Sequence, residues 1–240
     1  MNRSRDKVRC ALNHQNAGSV PVDFGSTAVT GIHCRIVEAL RNYYGLAPRP
    51  VKIVDAFQML GEIDAELAEK IGVDCIGIGG PKDIFDLDTT RMHEQTTPWG
   101  QRVLVPEAMD LTPDMRGDVY VYAGGDQNYL PSAVMPKGCY FINAIERQQP
   151  IEEDRLDPED NVEEFGLLTE NDLAYYCAEA DKAYQTGRAV VASFGGTALG
   201  DVAFVPGMGL KQPKGIRMWN CSRVTVAAWL CWRKVTVASK

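Results

Sequence analysis

Three apolar runs, at 20–24, 73–78 and 189–194, most constrain what this chain can fold into, because each lacks the polar alternation of a half-exposed strand. An amphipathic stretch of helical spacing precedes each of them. Continuous apolar strands alternating with amphipathic helices are the pattern of a parallel sheet covered on both faces, hence an α/β architecture. The first helix is expected over 4–14, with Val8, Ala11 and Leu12 on one side. The next covers 32–44 through Ile32, Ile36, Leu40 and Tyr43, and is stopped by Gly45 and the Pro48/Pro50 pair. A third, with Leu60, Ile63, Leu67 and Ile71 on its apolar face, runs through Gly72 into the strand at 73–78. A fourth starts at a Thr169 cap, presents Leu173, Tyr176, Cys177, Ala180, Ala183 and Tyr184, and ends at Gly187 before the strand at 189–194.

The middle departs from this pattern. Residues 98–143 have no helical periodicity but carry β-type runs at 102–105, 119–123 and 139–143, punctuated by Gly100, Gly124-Gly125 and Gly138, which predicts an inserted β-meander. Charge is uneven as well. The net charge of −7 comes from residues 151–172, where ten acids stand against Arg155 alone. The run reads as a solvated connection. No basic stripe of the kind nucleic acids require is present. After Asp201 the sequence has no Asp or Glu, three of the four tryptophans (Trp219, Trp229, Trp232) crowd its end, and VTVA occurs twice, at 224–227 and 235–238.

Seven scattered cysteines without a C-x-x-C pair form neither a disulfide framework nor a zinc finger, and fit a reducing compartment. No window approaches the roughly 20 apolar residues of a membrane span, and the start lacks a signal peptide's apolar core. A cytoplasmic address is expected. His14, His33 and His93 are widely separated, and His33-Cys34, though it opens a helix, points its two side chains about 100° apart.

Several positions follow strands, where parallel folds place their ligands. Asp23, followed by Gly25-Ser26-Thr27, is either a functional carboxylate or one that accepts backbone N–H groups in its own loop. Gly77-Ile78-Gly79-Gly80 and Gly195-Gly196-Thr197 either admit a ligand close to the backbone or simply turn the chain. Neither completes a nucleotide-binding motif. Asp201 stands beside the second of these loops. Gly124-Gly125-Asp126-Gln127-Asn128 has the composition of a hairpin tip.

Several strings together resemble the uroporphyrinogen decarboxylase superfamily. They are Arg9 to Leu12 followed by Val20-Pro21-Val22-Asp23-Phe24-Gly25; Val51-Lys52-Ile53-Val54-Asp55-Ala56-Phe57-Gln58; and Met135-Pro136-Lys137-Gly138-Cys139-Tyr140-Phe141. Gly195-Gly196-Thr197-Ala198-Leu199-Gly200-Asp201, Pro206-Gly207-Met208-Gly209-Leu210-Lys211 and Lys214-Gly215-Ile216-Arg217 complete the series. The resemblance implies a (β/α)8 barrel of which residues 1–217 form the N-terminal portion, carrying the meander at about 98–143 as an insertion. Residues 218–240 depart from it, and a frameshift or truncation after Arg217 is expected. The decarboxylase branch carries an arginine-bearing string after its first strand and an aspartate after its second. Here those stretches read Phe24-Gly25-Ser26-Thr27 and Gly79-Gly80-Pro81.

Without such arginines the many carboxylates of uroporphyrinogen would lie unpaired. The resemblance therefore points to the methyltransferase-like branch: methyl transfer from a small methylated substrate, with a corrinoid, or a corrinoid protein, as partner. Zinc, held by His and Cys of later strands, is implied for full-length relatives, and no metal ligands are assigned within this chain. Asp23, Gly25, Asp126, Gly196, Thr197 and Asp201 are the candidate substrate-binding residues. Porphyrin decarboxylation is the alternative chemistry. A non-catalytic half-barrel that needs a partner chain is the alternative of another class, and the chain by itself is expected to be inactive.

Overall fold

A computed structural model describes residues 4–147, 167–194 and 207–213. The acidic run up to 166, the 195–201 loop and the tail at 218–240 lie outside the described residues. The fold is mixed α/β, and its sheets do not close into a barrel among the described residues.

The four expected helices form as α1 (Ser4–Leu12), α2 (Cys34–Tyr43), α3 (Ala65–Ile71) and α4 (Glu170–Gln185). Local chemistry sets their ends. The Asp64 carboxylate accepts the N–H groups of Glu66 and Leu67 at 3.0 and 3.1 Å, and Gly72 closes α3 in the left-handed conformation at φ 82°. Thr169 and Asp172 form a reciprocal capping box at the start of α4. Leu60 lies outside α3, because it belongs to a strand.

The face of α2 differs from expectation. Cys34, Val37 and Arg41 are buried, whereas Ile36 and Tyr43 are exposed. Arg41 can turn inward because Asp64, Glu66 and the Ala47 carbonyl pair its two terminal guanidinium nitrogens, so a charged residue occupies the core-facing stripe. Gly61 completes the fit. A side chain there would press on Val37 and on the Cys34 backbone.

Four strands build the mixed sheet: β1 (Val51–Asp55), β2 (Leu60–Gly61), β4 (Met92–Thr96) and β5 (Arg102–Pro106), in the order β2-β1-β5-β4. β1 and β5 are parallel and the outer pairings antiparallel. Val51, Ile53, Val103 and Val105 point from the two central strands into one core with Val37, Phe85 and Leu87. Strands β6 (Val119–Val121), β7 (Ala133–Met135) and β8 (Asn143–Ala144) form an antiparallel meander. The expected 98–143 insertion is therefore two structures. Its first strand joins the mixed sheet, and the meander proper begins at Val119.

The remaining strands, β3 (Cys75–Ile78) and β9 (Ala189–Ala192), pair in parallel over four rungs, from Cys75 opposite Ala189 to Ile78 opposite Ala192. α3 leads into β3 and α4 into β9. The expected strand at 20–24 does not form. Pro21 has no N–H to give, and the Val22 N–H goes to the Asp74 carboxylate at 2.9 Å rather than to a ladder carbonyl. The segment still runs beside β3, since the Asp74 N–H donates to the Val22 carbonyl at 2.8 Å. Lys7 of α1 binds the same carboxylate at 2.6 Å, and these contacts hold Asp74 below the usual carboxylate range despite its burial.

Candidate functional site

The C-terminal ends of β3 and β9 form the first neighbourhood of interest. The Ser193 N–H continues the parallel ladder by donating to the Ile78 carbonyl at 2.9 Å, and the Tyr176 hydroxyl donates to the Ser193 carbonyl at 2.9 Å. The Tyr176 ring also meets Phe194, centroids 4.8 Å apart, so α4 clasps the end of β9. Desolvation, with Asp172 adding to it, raises the Tyr176 hydroxyl above its ordinary value.

Asp23 lies on the neighbouring segment. Its carboxylate accepts the Ser26 hydroxyl at 2.7 Å and the Thr30 hydroxyl at 3.4 Å, and so organises its own loop through side chains rather than through backbone N–H groups, the second of the two expected readings. Gly25 takes φ +86° and packs under Ile63, whose side chain fills the space a Cβ would need. Gly77 is just as constrained: any side chain would collide with the Ser26 carbonyl oxygen. Gly77 thus brings the 23–30 loop flush against β3 at Ser26, whose hydroxyl is held by the Asp23 carboxylate. Cys75 begins β3 with its thiol pushed upward by desolvation, then by Asp23 and Asp74, which keeps it protonated rather than nucleophilic.

Asp126 lies elsewhere. It follows a short 3-10 turn, Ala123–Gly125, between β6 and β7, accepts the Asn128 N–H at 3.1 Å and pairs with Lys211 at 2.6 Å. The Lys211 ammonium, then the Asn128 N–H, hold its carboxylate below the usual range. Arg147 donates to the Gly207 and Lys211 carbonyls at 2.8 and 3.2 Å, so the 207–213 segment is clamped over this turn. Asp23 and Asp126 share no partner. Gly196, Thr197 and Asp201 lie outside the described residues.

Sequence reasoning passed over three groups. Tyr176 was read only as part of a helix face. Lys211 belongs to a string that carries the resemblance, and nothing in that string points to Asp126 as its partner. Asp83 caps the 83–87 loop by accepting the Phe85 and Leu87 N–H groups at 2.9 and 3.0 Å, while its other oxygen is buried without a partner among the described residues and desolvation pushes its carboxyl up to about 6. A run of alternating acidic and apolar residues in a loop carries no signal for any of this.

No group of three His, Cys, Asp or Glu that could hold a metal ion exists among the described residues. The His33 ring is engaged at both nitrogens, by the Arg35 N–H and the Tyr140 carbonyl, and His93 contacts Gln95. The described residues therefore do not fit zinc. No helix among them is long and apolar enough to cross a membrane. Comparison of the chain with family models, with curated proteins and with solved structures finds no match.

Proposed function

We propose that this chain carries the first three strand positions of a uroporphyrinogen-decarboxylase-like (β/α)8 barrel of the methyltransferase-like branch. The observation that supports the reading best is the parallel pairing of β3 with β9, each led in by a helix and joined across a long excursion of chain. The 20–24 segment alongside β3 supplies the first position, and the order 1-2-3 is the one a barrel requires. On this reading Asp23, Ser26 and Thr30 face the mouth, where a carboxylate with two hydroxyls suits a small polar methyl donor. A corrinoid would bring the methyl-accepting metal chemistry.

Decarboxylation is the weaker reading. The stretches 24–27 and 79–81, which follow the first two strand positions, hold no arginine, and Lys82, just beyond the second, pairs with Asp86 at 2.6 Å. Those two stretches offer an octacarboxylate no guanidinium to pair with.

The test has two parts. Genomic DNA read in its other two frames past the Arg217 codon is expected to continue the barrel with His and Cys ligands, and the absence of such a continuation removes the frameshift. The protein with that frame restored, given a corrinoid and small methylated donors, is expected to transfer methyl groups, with Asp23→Asn lowering kcat/KM by about tenfold or more. Carbon dioxide released from uroporphyrinogen would instead establish the decarboxylase. If β9, whose far side has no partner among the described residues, has to be completed by a second polypeptide, only mixing with that chain restores activity.

A further inference from the structure

A polar pocket of about 310 Å³ opens between the outer face of α2 and the turn before β5, lined in part by Arg35, Glu38, Asn42, Trp99 and Gly100. It shares no residue with the Asp23 neighbourhood. Its aromatic wall is rigid. The Trp99 indole N–H donates to the Gln101 carboxamide oxygen at 3.0 Å, and Gln101, itself buried, donates to the Cys34 carbonyl at 3.0 Å. His33 and Tyr140 hold the indole from the side, ring centroids 5.6 and 5.3 Å away.

The helix supplies the polar groups. Positions 35, 38 and 42 fall on one face of α2, and the side chains of Glu38 and Asn42 have no hydrogen-bond partner among the described residues. Arg35 and Glu38, opposite charges three residues apart, would ordinarily pair along the helix surface. They form no ion pair within 4.0 Å. The Arg35 guanidinium instead lies over the Tyr140 ring, 4.4 Å from its centroid, and its N–H groups have no hydrogen-bond partner among the described residues. One small cavity thus presents a cation, an anion and a fixed indole, with the two charges held apart.

We infer that this pocket binds a small zwitterion of the α-amino acid type, its carboxylate on Arg35, its ammonium on Glu38 and its apolar part on Trp99. A simple anion meets Glu38 with like charge, and a simple cation meets Arg35 in the same way. Only a ligand carrying both charges satisfies both ends. The inference stands independently of the barrel reading, because all its residues belong to α2, the 97–101 turn and Tyr140.

L-phenylalanine is the probe, with 3-phenylpropanoate and 2-phenylethylamine as ligands that keep the ring but only one charge. The readout is the Trp99 indole N–H resonance, assigned by Trp99→Phe, in titrations of the full chain. L-phenylalanine is expected to shift it saturably with a Kd on the order of 1 mM, and each half-ligand to bind at least about tenfold more weakly. Arg35→Gln and Glu38→Gln are each expected to weaken L-phenylalanine by about tenfold, with Glu38→Gln sparing 3-phenylpropanoate. No saturable shift, equal affinity for a half-ligand, or variants that bind as tightly as the wild type would overturn the proposal. Should a variant lose its native spectrum, the wild-type comparison of the three ligands decides alone.

Discussion

Asp83 folds into a place that opposes its charge. Its unpartnered oxygen is buried, and Asp55 and Asp86 add to the desolvation that moves its carboxyl from the ordinary 3.8 to about 6. The native state therefore keeps a proton that the unfolded chain releases, so stability rises as pH falls from above 6 towards 4 and the full ionisation cost applies above 6. Asp83→Asn retains the oxygen that accepts from Phe85 and Leu87. In urea titrations it is expected to be more stable than the wild type by about 1–2 kcal/mol at pH 8 and nearly equal to it at pH 4. Asp74 acts with the opposite sign: its depressed carboxyl stabilises the fold above the ordinary carboxyl range, and that contribution fades as pH falls through the native value. Neither behaviour was legible in the sequence, since both depend on which loop covers an aspartate. Asp23 was legible as a polar position in a loop-forming stretch, but the strand expected before it does not form and its hydroxyl partners were not legible.

At the scale of elements, what local chemistry decides was readable. Thr169 as a cap, Gly72 as the stop of α3, and the apolar strands β3 and β9 all lie where spacing and turn residues put them. Where side chains from distant segments intervene, the reading failed. The true face of α2 contains Arg41, which no hydrophobic pattern selects, and β1 sits inside a string noticed only for its resemblance. The Arg41 network turns on Asp64, which caps α3, pairs with Arg41 and receives Arg49 at 2.9 Å. Asp64→Ala removes a cap and strands a buried guanidinium, so a loss of about 3–5 kcal/mol is expected in thermal unfolding followed by circular dichroism. Arg49→Ala, at a half-exposed partner, is expected to cost no more than about 1 kcal/mol.

Across the described residues, the buried apolar cluster draws on the mixed sheet, α2 and the meander, with Leu67 of α3 and Phe85 and Leu87 of the loop after β3. β3 and β9, the strands that carry the barrel reading, have no buried residue. The α/β class was thus legible from strands that contribute little to the core, and the part expected to be an insertion supplies about half of the buried cluster. Amide hydrogen exchange is expected to follow this division. The β1, β5 and β6 amides should exchange slowest, near the global unfolding limit, and those of β3 and β9 roughly tenfold or more faster. Equal protection would mean that the parallel pair draws its stability from outside the described residues.

The register of Cys75 against Ala189 also sets an order of events on the ribosome. The four strands of the mixed sheet are all synthesised by Pro106, while β3, made before two of them, needs a partner some 110 residues downstream. At roughly 5–20 residues per second, that edge stays open for about 5–20 s of translation. For that interval the nascent chain presents a half-finished ladder to whatever surrounds it, so a pause or stall between the meander and β9 prolongs the period in which mispairing competes with folding.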